Sequence, residues 1–175
     1  KYKNTNSPDL WDCLSETSGK PLNKMLPSWI NQEGFPIVHI EKKGGRWELS
    51  QKRYLIDGET TDQLWMVPLK IRDLNSNEEV VIDFNERNIS INQEDIEFPL
   101  INSGGWGFYY SSYSKDHLNK IAENLELLSV NEKYRLIEDS WASVRIGNLD
   151  LETFMRIVSN YKEEVDVDWW TLISG

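Results

Sequence analysis

The chain has 175 residues, 39% of them hydrophobic, with 19 Lys and Arg against 29 Asp and Glu and a net charge of −10. That length can bury a real core in one medium domain or two small ones. The acidic balance argues against nucleic acid or an anionic membrane surface as the main partner, because both need clustered cations. No apolar run approaches the length of a transmembrane helix. A single cysteine, Cys13, leaves no disulfide framework and no multi-cysteine zinc site, and eight Trp, seven Tyr and five Phe exclude intrinsic disorder. The chain opens on Lys1-Tyr2-Lys3 with no initiator Met or signal-peptide pattern, so it reads as a piece of something longer.

In chain order, Ser7-Pro8 predicts a helix entrance, with Ser7 as the cap. Leu10, Trp11 and Leu14 follow at helical spacing, and Gly19 marks the stop. Cys13 lies beside these positions and reads as an inert buried thiol, since no cation adjoins it to lower its pKa. A second short helix is expected from Pro21 to about Gln32, with Met25, Leu26, Trp29 and Ile30 on its buried face and a kink or break at Pro27.

From Phe35 to about Tyr113 the period shifts towards two. Ile37 to Ile40 is one strand, Gly44-Gly45 a hairpin turn, and Trp47 and Leu49 alternate with polar residues after it. Asp57-Gly58 is the next turn. Trp65, Val67, Leu69 and Ile71 alternate in a strand that Pro68 demotes to an edge or bends at a bulge. Asn75-Ser76-Asn77 is a further turn. Val80–Phe84, Ile89–Ile91, Phe98–Ile101 and Gly107–Tyr110 complete about seven strands, with the turn spacing of a small antiparallel β-sandwich. The last third is helical. Ser114 caps a stripe of Leu118, Ile121, Leu125 and Leu128, and Ser129 with Glu132 forms a capping-box pattern ahead of Tyr134, Ile137, Trp141 and Val144. Gly147 closes that helix. Asp150 opens another, with Leu151, Phe154, Val158 and Tyr161, and a fourth is expected near Val165 with Trp169 and Leu172. Short links between them imply a helical hairpin array.

No catalytic motif is present in the sequence: HExxH, P-loop, GxGxxG and GxSxG are all missing. His39 and His117 stand far apart, His39 alternating with Val38 and Ile40 and His117 in a first helical turn at the surface. Neither has a second ligand near in sequence, so no metal-ligating, catalytic or cofactor-binding residue is assigned. Ser103-Gly104-Gly105-Trp106-Gly107 reads as a flexible turn between strands. Glu163 to Asp168 lacks the spaced ligands of a calcium loop and reads as a solvated link. Trp47, Trp65, Trp106, Tyr109 and Tyr113 could form a carbohydrate platform, but most occupy alternating, core-facing positions. Asn88-Ile89-Ser90 is a lone glycosylation sequon.

Three stretches in order resemble one family. Asp9-Leu10-Trp11 followed by Trp29-Ile30-Asn31-Gln32-Glu33-Gly34-Phe35-Pro36 is similar to the segment that closes the catalytic domain of zinc aminopeptidases of the aminopeptidase N and puromycin-sensitive type. Leu49-Ser50-Gln51-Lys52-Arg53-Tyr54 with Leu64-Trp65-Met66-Val67-Pro68-Leu69 resembles the next family segment. Arg135 through Ala142, then Gly147, Tyr161, Glu163 and Trp169, resembles a third. The resemblance covers nearly the whole chain. It implies that residues 1–34 are the helical tail of a catalytic domain, 35–113 a β-sandwich domain and 114–175 the start of a C-terminal helical domain.

By the same resemblance the parent removes N-terminal residues from peptides, with zinc polarising the carbonyl and activating water. The zinc ligands, the substrate motif and the transition-state Tyr would lie upstream of Lys1, so this chain alone is expected to hold no cofactor and to be inactive. Its role would be spacer, hinge and first wall of the substrate chamber. Its partners would be the rest of the aminopeptidase polypeptide and, through it, peptide substrates. One departure is visible: Tyr110 stands where the family commonly has Arg. A stand-alone sandwich module binding carbohydrate or protein is the alternative. The charge and the single cysteine suggest a cytoplasmic parent. The first helix and the final one, lacking neighbours, are expected to drive self-association of the chain.

Overall fold

Two helices come first: α1, Ser7–Ser18, and α2, Leu22–Ile30. The computed structural model describes residues 6–56, 61–92 and 94–161; the turn expected at Asp57-Gly58, the stretch Glu163 to Asp168 and the helix expected near Trp169 lie outside them. The cap of α1 is Asn6, not Ser7. Pro8 needs no N–H partner in the first turn, which draws Ser7 into the helix. The Asn6 side chain then accepts from the Asp9 N–H at 3.1 Å while the Asp9 carboxylate accepts from the Asn6 N–H at 3.1 Å. Gly19 ends the helix in the left-handed region, as expected.

α1 leans on α2, through Asn23, whose N–H donates to Ser15 Oγ at 2.8 Å and whose amide donates to Asp12 at 2.9 Å. Leu10 is therefore 54% exposed and Leu14 41%. Cys13 is exposed as well, which corrects its reading as a buried thiol. α2 keeps Pro27 inside it and ends at Ile30, which is exposed; Met25, Leu26 and Trp29 are half-buried. Its docking is polar: Trp29 Nε1 donates to the Met66 carbonyl at 2.9 Å, Gln32 to the Leu64 carbonyl at 2.9 Å, and the Met66 N–H to Ser28 Oγ at 3.0 Å. Two of the residues that carry the family resemblance, Trp29 and Gln32, thus tie the helices to the sandwich.

The strands are β1 Pro36–Lys43, β2 Arg46–Arg53, β3 Val67–Asp73, β4 Glu79–Phe84, β5 Asn88–Asn92, β6 Pro99–Ile101 and β7 Tyr110–Tyr113. They form two sheets, ordered β5-β2-β1-β7 and β4-β3-β6. Every ladder is antiparallel except β1 with β7, which is parallel. That pairing needs the long crossover between the first and last strand, and the second sheet supplies it. Pro68 sits on the central strand β3, yet β6 pairs only with Ile71 to Asp73. At Pro68 one side of β3 is open, so the missing N–H costs no ladder bond there.

Alternation places Trp47, Leu49, Trp65, Val67, Leu69 and Phe84 in the core, as expected. Ile82 is only half-buried, because β4 is an edge strand whose face meets solvent. Gln51 is the polar brace between the sheets. Its amide donates to the carbonyls of Trp65 at 3.0 Å and Glu86 at 2.9 Å, and its oxygen accepts from the Trp65 N–H at 2.9 Å. Asp73 organises two turns. Burial pushes its carboxyl up, but N–H donors from Asn75, Glu97, Phe98 and Ser76 outweigh that and hold it below the usual range.

The last strand lies three residues later than the alternation predicts. Asn102, at φ 58°, turns the chain back, and its side chain bonds both ways to Gly107: the amide oxygen accepts from the N–H at 2.8 Å and the amide donates to the carbonyl at 3.3 Å. Residues 107–109 are spent closing that loop. Gly107 is required there, since a Cβ would stand 2.2 Å from the Tyr109 ring.

The helices that follow are α3 Lys115–Ala122, α4 Val130–Arg145 and α5 Leu151–Ser159. Leu118, Ile121, Leu125 and Leu128 are all buried, but Leu125 belongs to a separate 3-10 turn, Leu125–Leu127, and Ser114 makes no side-chain cap bond. Asp150 caps α5 by accepting from the Thr153 N–H at 2.8 Å. Phe154, Ile157, Val158 and Tyr161 are buried and Leu151 is exposed, so Ile157 takes the place expected of Leu151.

Candidate functional site

Buried polar side chains gather where α4 meets the sandwich. The capping box at its start forms as expected, Glu132 accepting from the Ser129 N–H at 2.8 Å and Ser129 Oγ from the Glu132 N–H at 3.4 Å. Of the expected apolar stripe Ile137 is buried and Tyr134 and Val144 pack against the core, but Trp141 turns outward. Trp141 is 47% exposed, and Tyr134 and Val144 are half-buried. The buried face instead carries Glu132, Leu136, Asp139, Ser140 and Ser143 beside Ile137 and Ala142. Small hydroxyl residues at 140 and 143 let the helix lie close to β7, the free edge of the first sheet, and Asp139 accepts the edge N–H of Ser111 at 3.0 Å. A covered edge with its N–H satisfied is a stable arrangement.

Glu132 does more than cap. Arg72 on β3 donates to it at 2.6 Å, and the Gly104 N–H donates to it at 3.0 Å. Burial pushes its carboxyl up, but the donors at Gly104 and Ser129 and the Arg72 charge outweigh it and hold the group below the usual carboxylate range. The Gly-rich turn is therefore anchored rather than free: Ser103 is buried, and Arg135 Nε donates to the Gly105 carbonyl at 3.2 Å. Gly104, at φ 80°, permits that docking where a Cβ would press on the Trp106 ring at 2.9 Å. Glu132→Gln removes the charge facing Arg72 and leaves one acceptor oxygen where two now serve, Oε2 for the Ser129 N–H and Oε1 for the Gly104 N–H, so one of those bonds is lost as well. It should lower stability by about 2 kcal/mol, read as a shift in denaturant midpoint.

Asp139 is the opposite electrostatic case. Burial drives its carboxyl up to about 7, against the pull of the Ser111 N–H and hydroxyl and of Arg135, with Glu138 adding to the rise. Its other oxygen has no hydrogen-bond partner. Tyr109 and Tyr113 beside it are raised, by burial first and then by the Asp139 charge.

The histidines are not brought together. His39 is half-buried on the outer face of the first sheet, with Nδ1 3.0 Å from Ser112 Oγ. His117 is buried, not at the surface: its Nε2 lies 2.7 Å from the Pro99 carbonyl, and its ring packs on Trp47, Phe98 and Tyr113. Burial lowers its pKa to about 4. The inward turn of α3 against β6 puts it there. Among the described residues no group of three or more His, Cys, Asp or Glu lies close enough to hold a metal ion. No helix among them is long and apolar enough to cross a membrane. Trp47, Trp65, Tyr109 and Tyr113 are core, while Trp106 is 84% exposed, so the five do not make one aromatic platform. The sequon lies on the exposed positions of β5.

The family model described as the ERAP1-like C-terminal domain matches residues 98–175. The chain is 28% identical to the alanine/arginine aminopeptidase of Saccharomyces cerevisiae over 99% of its own length and 21% of that protein. It is 28% identical to the tricorn protease-interacting factor F2 of Thermoplasma volcanium, over 94% of the chain and 20% of the relative. Against the leucyl aminopeptidase of Saccharolobus solfataricus the figures are 27%, 94% and 20%. Nearly the whole chain is thus similar to aminopeptidases. It spans about a fifth of the length of these relatives. The ERAP1-like C-terminal domain match begins at Phe98, so it takes in β6 and β7 with the helices, the two strands to which α3 and α4 are bonded. At the position where aminopeptidases of this family commonly carry Arg, the Tyr110 ring meets Phe35 at 5.3 Å and Tyr54 at 4.8 Å, both edge-on. Aromatic packing holds that corner.

Proposed function

We propose that this chain is a non-catalytic part of a zinc aminopeptidase that removes N-terminal residues from peptides. The observation that carries the reading is coverage: several aminopeptidases match nearly the whole chain, yet it accounts for only about a fifth of each. Residues 1–34 would be the tail of the catalytic domain, 35–113 the sandwich and 114–175 the start of the helical domain. The sandwich would act as spacer and hinge, and the helices as the first wall of the substrate chamber. The seam through Asp139 and Glu132 suits that role, because it ties the helical array to both sheets by specific bonds.

The described residues do not fit zinc: they offer no clustered ligand set, and the ligands are assigned to the remainder of the polypeptide. The parent would be cytoplasmic, a reading that rests on the acidic charge balance and the single cysteine. The partly bare face of α1, with Leu10 and Leu14, would pack on that remainder, and would be where the isolated chain self-associates. Metal analysis of the purified chain beside an aminoacyl-nitroanilide assay tests the reading. The chain alone should carry no stoichiometric zinc and show no hydrolysis, while the longer polypeptide that contains it shows both. One tight zinc per chain, or turnover above blank, contradicts it.

A further inference from the structure

A row of polar side chains crosses the outer face of the first sheet. The register puts Asn88 on β5 opposite Ser50 on β2, Ser50 opposite His39 on β1, and His39 opposite Ser112 on β7. One step along, Lys52 stands opposite the buried Ile37. The turn after α4 reaches over this face with Asn148, held by its N–H to the Ser143 carbonyl at 2.9 Å. Ser112 aside, these residues line a cleft of about 390 Å³ together with Gln51 and Arg87.

Its chemistry is lopsided. The lining holds Lys52, Arg87, His39, Gln51, Ser50, Asn88 and Asn148 around Ile37, and no carboxylate, in a chain with 29 acidic residues. The donors are also uncommitted. No side-chain hydrogen bond to a described residue is made by Lys52, Ser50, Asn88 or Asn148, and Arg87 spends one nitrogen on the fully exposed Asp62 at 3.2 Å, a pair worth little. Gln51 spends its amide in the core. When the Ser112 hydroxyl donates to His39 Nδ1, the other ring nitrogen carries the proton and is a further donor. Glu41 and Glu48 stand one row away on the same face, so negative charge bounds the cleft without entering it.

We propose that this cleft binds a small oxyanion, a phosphate or carboxylate group on a free molecule. Lys52 and Arg87 supply attraction, and the Asn88 and Asn148 amides and the Ser50 hydroxyl supply directional donors that a chloride ion cannot use fully. The site is separate from the seam at Asp139 and does not depend on the peptidase reading.

The test is a titration of the full chain with inorganic phosphate and, separately, with succinate, at neutral pH and ionic strength matched with sodium chloride. The readouts are the His39 imidazole resonance, assigned with His39→Gln, and the thermal midpoint. Saturable movement of the His39 signal at millimolar anion, with a rise in midpoint, is expected for at least one of the two, and the tighter one names the group. Lys52→Gln combined with Arg87→Gln should weaken binding by about tenfold or more, while Lys43→Gln outside the cleft leaves it unchanged. Asn148→Ala, which touches no charge, should also weaken it and serves where the double variant does not fold. No saturation with either anion, an equal response to chloride, or unchanged affinity in a folded cleft variant overturns the proposal.

Discussion

Trp65→Ala should lower unfolding stability by about 3–5 kcal/mol, the range for removing an enclosed aromatic side chain. The ring is fully buried between the sheets and lies 6.4 Å from the Trp29 ring of α2, tilted by 53°. Its backbone is clamped on both sides by Gln51. Truncation therefore leaves a cavity that the clamped strand cannot close by collapsing. The indole nitrogen has no hydrogen-bond partner, so Trp65→Phe loses packing volume but no bond, and should cost under about 1.5 kcal/mol. Urea denaturation of the two variants reads the difference as midpoints at constant slope. A Trp65→Ala midpoint equal to wild type would mean the ring contributes nothing to the core.

Alternation and capping chemistry made much of this fold readable from the sequence. The Gly44-Gly45 hairpin, the seven strands, the Ser129–Glu132 box and the Asp150 cap all follow from local rules, because each is fixed by residues within a few positions of one another. What misled was long-range. The α4 stripe was read from apolar spacing, yet a helix that covers a sheet edge needs a polar and small face, and Asp139, Ser140 and Ser143 supply it. The signal is present as the short side chains Ser140, Ala142 and Ser143 around Trp141, and it means close approach rather than exposure. His117 was placed at the surface by its position in a first turn, but only the tertiary fold brings the Pro99 carbonyl and three aromatic rings to it. The strand shift at β7 has the same origin, since the Asn102 loop closes through contacts that no period reveals. The oxyanion cleft was equally invisible, because its residues come from β1, β2, β5 and the turn after α4 and meet only through register.

Stability should fall as pH rises through neutrality, and Asp139 is the cause. Its folded pKa of about 7 stands above the usual 3.8, so between those values the folded state holds a proton that the unfolded chain has released. Stability therefore decreases with pH across that window, is fully present below the unfolded pKa and is lost as pH passes the folded one. Three units correspond to about 4 kcal/mol as an upper bound, and relaxation around the charged carboxylate reduces it. The groups facing Asp139 are Arg135 and Glu138 on its own helix and Ser111, Tyr109 and Tyr113 from the sandwich. Arg135 offsets part of the cost, but it already bonds the Gly105 carbonyl and Glu138. His117 works in the opposite sense: its pKa of about 4 lies below 6.5, so its contribution is lost as pH falls. The raw curve sums these with the other shifted groups, His39, Asp73 and Glu132 among them, and the comparison of variants isolates Asp139. Asp139→Asn keeps an acceptor for the Ser111 N–H and carries no charge at any pH. It should match wild type near pH 4, exceed it in stability above pH 7, and flatten the slope between. Thermal midpoints of both proteins across that range decide it. Parallel curves would show that Asp139 ionises normally and that α4 opens to let water reach it.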